Sequence, residues 1–315
     1  MRKIIFIIWY RMPKIFLIPF LPLSLIFLLI ISARKYILIN VISTYTSKSK
    51  ILIIGNLNTG GSGKTPFTIW LANHLHTRKK KIAIISSGYK SNVTKPVEIN
   101  SLSNANDVGD EALLLMDKTN ALVVSSNNRV KSTKYLEDKD FEYIIHDDGL
   151  QHYSLNRNYE FIITKYKTPI NNFLLPCGPL REPKFFHPNA TFILSNYYDN
   201  DYPGFYTKLT QIRSSTENKV FALNDNKFSK CYLLTAIADD TDLKQELKSY
   251  HKNMECLSFD DHYEFKPEDI PTTTDPIVVT EKDFTKLKEF NMKNIYILEQ
   301  SVYPNDKLMR IIEKL

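Results

Sequence analysis

Residues Ile51–Thr65, ILIIGNLNTGGSGKT, constrain this chain more than any other stretch. A β-branched apolar run passes into a glycine-rich turn, and Lys-Thr then opens an amphipathic segment, TIWLANHL. That is the strand, loop and helix order of a phosphate cradle. The chain has only nine glycines, and Gly55, Gly60, Gly61 and Gly63 fall in this one stretch. Glycines at 60, 61 and 63 free the backbone to turn successive N–H groups onto an anion, and the helix N-terminus adds its dipole. Asn58, Thr59, Gly60, Gly61, Ser62, Gly63, Lys64 and Thr65 are therefore expected to hold the phosphates of a nucleotide. Lys64 reaches the terminal phosphates and the Thr65 hydroxyl serves Mg²⁺. The strict pattern asks for glycine where Asn58 stands, so the loop is a variant.

The surrounding pattern gives the fold class. After a polar linker, Ser43–Lys50, short apolar runs recur between helical stretches: KIAIIS, ALVVS, YIIHDD, EFIIT and TFILS. This alternation predicts an α/β protein of the P-loop NTPase kind, with a mostly parallel sheet flanked by helices. A polar segment, NYYDNDYPG, marks a connection. Beyond it YLLTAIA, MECLSF, PIVVTEKD and NIYILEQ predict a second, smaller α/β unit closed by a C-terminal helix. The expected organisation is an N-terminal membrane-associated helix region over 1–42, a P-loop domain over 43–204 and a smaller domain over 205–315 that completes a cleft.

The first of these regions carries an uncharged run, FLIPFLPLSLIFLLIISA, at the lower edge of what spans a bilayer. Lys14 lies on one side and Arg34 and Lys35 on the other, so charge sets no orientation. An interfacial helix and a spanning helix both fit, and with either the catalytic part stays on the cytoplasmic side, where ATP is found. A net charge of +7 suits anionic partners, including a membrane surface. No basic patch interleaved with aromatics argues for nucleic acid. Three scattered cysteines show no metal-site or disulfide spacing.

Two acidic groups complete the chemistry. His146-Asp147-Asp148-Gly149 ends an apolar run, where a strand delivers a carboxylate to Mg²⁺ beside the loop lysine. Asp110 and Glu111 open the helical stretch EALLLM, and such a carboxylate is either a cap or a base for an attacking hydroxyl. His262, within FDDHY, either orients that carboxylate or is structural.

GNLNTGGSGKTP, GDEALLL, HDDGLQH, LPCGPLREP, DDHYEF and VTEKD, in this order, resemble the tetraacyldisaccharide 4'-kinases of lipid A synthesis. That family also has an N-terminal apolar anchor and Asn or Thr in place of the first loop glycine, which accounts for Asn58. The resemblance implies transfer of the ATP γ-phosphate to the 4'-hydroxyl of a tetraacylated glucosamine disaccharide 1-phosphate, giving lipid IVA, with Mg²⁺, at the inner membrane. It implies that Lys64 and Thr65 hold phosphate and metal, that Asp147 is the metal-side carboxylate, and that Asp110 with His262 is the base and its partner. It places Tyr89, Glu111, Arg129, Gln151, His152 and Glu182 along the acceptor cleft. One departure stands at SSGYKS, where the family usually has Ser-Arg-Gly-Tyr-Gly-Arg: Tyr89 is kept and both arginines are missing. Lys90 or Lys95 replaces a guanidinium only as a less directional charge, so altered acceptor recognition with kinase activity retained is expected. The rival expectation is a membrane-associated P-loop ATPase with no lipid acceptor.

Overall fold

The computed structural model describes residue 9 and residues 14–42, 44–87, 95–166, 171–217 and 219–315. Tyr89 and Lys90 lie outside them. The N-terminal apolar segment starts as a 3-10 turn, Lys14–Phe20, in which Pro19 removes a donor, and continues as α1, Leu21–Tyr36. Together with a π turn, the helical stretch Ile15–Val41 covers 27 residues, and only 11% of its most apolar window is buried. The basic residues that end the uncharged run lie within this helix, so the helical stretch outlasts the run.

The remaining chain builds one twisted sheet. In chain order its strands are β1 (Lys50–Gly55), β2 (Ile82–Ser86), β3 (Val97–Glu98), β4 (Leu122–Ser125), β5 (Tyr143–Asp147), β6 (Tyr159–Lys165) and β7 (Thr191–Ser195). They continue with β8 (Gly204–Ser214), β9 (Val220–Phe221), β10 (Lys230–Thr235), β11 (Asn253–Ser258), β12 (Ile277–Thr280) and β13 (Ile295–Pro304). The spatial order is β11-β10-β12-β13-β8-β7-β6-β1-β5-β2-β4-β3, with β9 on β8. Pairing is parallel except at β3–β4, β8–β13 and β8–β9. The helices of seven residues or more that follow α1 are α2 (Lys64–Thr77), α3 (Asp110–Lys118), α4 (Arg129–Glu137), α5 (Thr241–Tyr250), α6 (Glu281–Leu287) and α7 (Asp306–Ile312).

Central strands covered on both faces read as continuous apolar runs, and β1 shows why. Leu52 and Ile54 face a cluster with Phe67 and Leu71 of α2 and Leu115 of α3, while Ile51 and Ile53 face a second cluster with Leu136 of α4. The far end of the sheet has its own pair of cores, centred on Leu233 and Phe228 on one side and on Val279 and Phe265 on the other. The sheet itself does not break at residue 204: β8 pairs in parallel with β7 through Leu194↔Gly204 and Ser195↔Phe205. One expectation needs correcting. The C-terminal helix α7 does not close the second half. Leu308 and Ile312 sit in the first half's core beside Phe67, because β13 runs antiparallel along β8 and returns the chain there.

Candidate active site

The phosphate loop leaves β1 at Gly55, where a Cβ would come within 2.6 Å of the Leu150 Cβ, so only glycine lets the two segments approach. Gly60 and Gly63 take φ values of 114° and 86°, in the region L side chains rarely adopt. A Cβ on Gly60 would meet nothing within 4 Å, so the loop faces open space on that side. The Ser62 hydroxyl is buried and has no hydrogen-bond partner among the described residues. A phosphate oxygen would satisfy it, since an orphaned buried hydroxyl is costly.

Lys64 opens α2, and its ammonium lies 3.2 Å from Asn56 Oδ1 and 3.6 Å from Asp148 Oδ1. Thr65 Oγ1 stands 3.5 Å from Asp147 Oδ2. The other Asp147 oxygen accepts from the Thr68 hydroxyl at 2.8 Å. Asp147 ends β5 with 2% of its surface exposed. Burial, reinforced by Glu111, pushes its carboxyl up to about 6 against the pull of Thr68 and Lys64. Such a group readily accepts a cation in place of the proton. Asp148, next in sequence, has left-handed backbone (φ 50°) and turns towards Lys64 and Arg181. These two cations, opposing its burial, hold it below the ordinary carboxylate range. Among the described residues no group of three His, Cys, Asp or Glu could hold a metal. Mg²⁺, however, takes one or two protein oxygens and completes its shell with phosphates and water, and the Thr65–Asp147 pair fits that.

The second constellation is assembled from distant parts of the chain. Asp110 begins α3 after Gly109, and its Oδ1 accepts from the Glu111 N–H at 2.9 Å. Its Oδ2 lies 3.1 Å from Nδ1 of His262, a residue 152 positions later held with φ 59°. Lys286 Nζ stands 3.3 Å from the same oxygen, at ion-pair distance though without hydrogen-bond geometry. One helical turn earlier, Lys282 pairs with Glu111 at 3.2 Å and Asp261 at 3.5 Å. α6 is held in register by Asp283, which caps through Thr280 and also binds the Thr235 hydroxyl and the Ala236 N–H at the end of β10. Asp110 is 6% exposed, and burial alone would favour its protonated form. The His262 hydrogen bond and the Lys282 and Lys286 ammoniums outweigh that burial and hold the carboxyl well below its ordinary range. The result is a desolvated carboxylate, ionised at neutral pH, with an imidazole attached to one of its oxygens, a group that can accept a hydrogen bond from a hydroxyl.

The two constellations share one cleft. Glu111, adjacent to Asp110, is close enough to Asp147 to raise its pKa. A Cβ on Gly61 of the loop would touch Ala238, beyond β10, at 3.6 Å.

The remaining expected residues divide. His152 and Gln151 are partly exposed behind Asp148, with His152 pushed down to about 3 by burial and by Arg129 and Arg34, hence neutral. Gln151 Nε2 is buried without a partner. Arg129 and Glu182 are both turned inward. Each is 2% exposed. The two terminal nitrogens of the Arg129 guanidinium donate to the carbonyls of Ile85 (2.5 Å) and Asp147 (2.6 Å), tying the ends of β2 and β5 together, while its Nε is buried with no partner among the described residues. Glu182 accepts from Tyr153 at 2.8 Å and lies 3.0 Å from His187 Nε2 in an internal polar cluster. Sequence reasoning assigned no role to Lys282, Lys286 or Arg181. The spacing of Lys282 and Lys286, four residues apart on one helical face, was the available signal.

The chain is similar to known proteins over most of its length. A model of the family described as "Tetraacyldisaccharide-1-P 4'-kinase" matches residues 16–315. A tetraacyldisaccharide 4'-kinase of Legionella pneumophila is 33% identical over 261 residues, 81% of this chain and 80% of that protein. One from Pseudoalteromonas translucida is 28% identical over 98% of this chain and 95% of its own length. The crystal structure of LpxK from Aquifex aeolicus in complex with ATP superposes with a TM-score of 0.76 at 26% identity, covering 94% of this chain and 99% of that one.

Proposed function

The chain belongs to the tetraacyldisaccharide-1-P 4'-kinase family, and from that premise we propose how its own residues carry out the transfer. It is an ATP-dependent kinase that phosphorylates the 4'-hydroxyl of tetraacyldisaccharide 1-phosphate, forming lipid IVA. The observation that carries the residue assignment is the Asp110–His262 contact at 3.1 Å, in a cleft shared with the phosphate loop.

Backbone N–H groups from Gly60 to Gly63 cradle the ATP phosphates, with Asn58 and Thr59 shaping the entry to the loop, and Lys64 neutralises the β and γ groups. Thr65 and Asp147 would hold Mg²⁺, which when bound would screen the phosphate charge. Asp110 takes the proton from the acceptor's 4'-hydroxyl. That oxygen bonds to the γ-phosphorus while the bond to the β–γ bridging oxygen breaks, and ADP leaves. His262 orients Asp110 and spreads the transferred proton's charge. His152, neutral, and Gln151, through its Nε2, contact the acceptor; Glu111 lies between the two constellations.

The exposed apolar surface of the Ile15–Val41 stretch seats the protein on the inner membrane, with the ATP-binding part on its cytoplasmic face. The division near residue 204 corresponds to the change from the first pair of cores to the second along the sheet, with Phe205 and α7 still packed in the first.

Purified protein incubated with γ-labelled ATP and the disaccharide acceptor should yield labelled lipid, identified by mass as one phosphate heavier. Acceptor-independent release of phosphate, with no labelled lipid, would instead indicate an ATPase.

A further inference from the structure

The polar linker between the apolar segment and β1 suggests a tethered anchor, but α1 is docked. Its exposed side is apolar, with Leu23, Leu25, Ile26, Leu29 and Ile30 each at least half exposed. Ser24 is 7% exposed, and its hydroxyl faces the body of the protein. It donates to the Leu174 carbonyl at 2.9 Å and accepts from the Cys177 N–H at 3.3 Å. Leu17, 3% exposed, reaches the same loop, with Cys177 Sγ 3.7 Å from its carbonyl. The Trp9 indole donates to Pro176 O at 2.9 Å.

The loop so gripped, residues 171–183, is the one that lies along the phosphate loop. Thr59 N–H donates to Pro179 O at 2.9 Å, and Arg181 N–H donates to Leu57 O at 2.7 Å, with Asn58 opposite Leu180 between them. Those bonds brace the part of the phosphate loop just ahead of Gly60. From one edge to the other the segment is closed on itself. Leu180 N–H bonds Phe173 O at 3.1 Å, Gly178 N–H bonds Leu174 O at 3.0 Å and the Asn171 amide bonds Cys177 O at 3.0 Å. It is also tight: a Cβ on Gly178 would stand 2.1 Å from Asn171 Oδ1 and 2.4 Å from Phe173 O. A block this densely bonded moves as a unit.

We propose that Ser24 is a positioning residue for the nucleotide: through the 171–183 block it fixes the apolar helix to the backbone of the phosphate loop. Without its hydroxyl, Cys177 N–H loses its partner and Leu174 O keeps only the bond from Gly178 N–H, at a surface where an apolar helix keeps water away, so the block must shift to satisfy the orphaned N–H. The separation between the apolar surface and Lys64 is then set by hydrogen bonds and not by the length of a flexible linker. The proposal rests on reading Asn58–Thr65 as the ATP cradle.

The test uses the full chain with phosphatidylglycerol-containing vesicles and measures vesicle partition together with KM for ATP and for the acceptor. Ser24→Ala should raise KM for ATP about fivefold, the factor that one hydrogen bond's net worth of about 1 kcal/mol represents. Partition should stay as in the wild type, because the exposed face is untouched, and Ser24→Thr, which keeps the hydroxyl, should restore KM. Gly178→Ala, which distorts the block and leaves α1 alone, should raise KM for ATP in the same direction. A wild-type KM for ATP in Ser24→Ala overturns the proposal, whether or not partition falls, and so does a wild-type KM in Gly178→Ala. Failure of the wild type itself to bind ATP would remove the cradle reading instead.

Discussion

The phosphate loop and the Asp110 centre do complementary work and are built in opposite ways. Residues 58–65 form the loop from one continuous turn between a strand and a helix, and the next partner needed, Asp147, comes from the neighbouring strand β5. The Asp110 centre draws Asp110 and Glu111 from α3 in the first half, and His262, Lys282 and Lys286 from the second. The loop is thus complete within one half of the sheet, whereas the Asp110 carboxylate acquires its imidazole and ammonium partners only when the two halves meet. Binding of ATP and activation of the acceptor are therefore separable, and substitutions can be chosen to separate them.

The largest expected effect is at the loop. Lys64→Met removes the cation nearest the transferred phosphate and should lower kcat about 10³-fold, the upper range for losing one preorganised charge-stabilising group, and weaken ATP as well. Asp110→Ala should lower kcat at least about 10²-fold while ATP affinity, measured by direct titration, stays near the wild-type value. If ATP affinity collapsed with it, the two regions would not be independent.

Lys286→Met sharpens the picture by leaving the base in place. The groups facing Asp110 are His262, Lys282 and Lys286 as cations or donors and Glu111 and Asp261 as the nearby carboxylates. The carboxyl of Asp110 is depressed, so its anion is present at neutral pH and lost only when pH falls through that low folded value. Removing Lys286 raises the value, and the acid limb of kcat/KM should move to higher pH by about one unit, with a smaller loss at neutral pH. An unmoved limb would mean that His262 and Lys282 suffice. Smallest of all, Thr68→Val removes the 2.8 Å hydrogen bond to Asp147 from a fully buried site. It should cost about 1 kcal/mol of stability in urea denaturation and leave the Asp110 pH profile unchanged.

Legibility followed the same division. Gly60, Gly61, Gly63, Lys64 and Thr65 could be read directly because their job is set by backbone geometry within a few residues. Asp147 was legible because an apolar strand points its C-terminal residue into the site. Asp110 and His262 remained open between capping and chemistry until family resemblance linked them, since nothing in a sequence says that residues 152 apart will stand 3.1 Å apart. Arg129 and Glu182 show the converse. Both look like cleft residues by motif, yet burial turned both inward, one to bind carbonyls and the other into the Tyr153–His187 cluster.

The sequence by itself determined the alternating α/β order, the phosphate loop and the apolar N-terminal helix, because periodicity, glycine placement and uncharged length act over short distances. Only the tertiary structure decided that α7 returns to the first core, that Lys286 serves Asp110 and that Ser24 ties α1 to the phosphate loop. Those outcomes depend on which buried polar groups find partners once the whole sheet is assembled, and that competition is settled in space rather than along the chain.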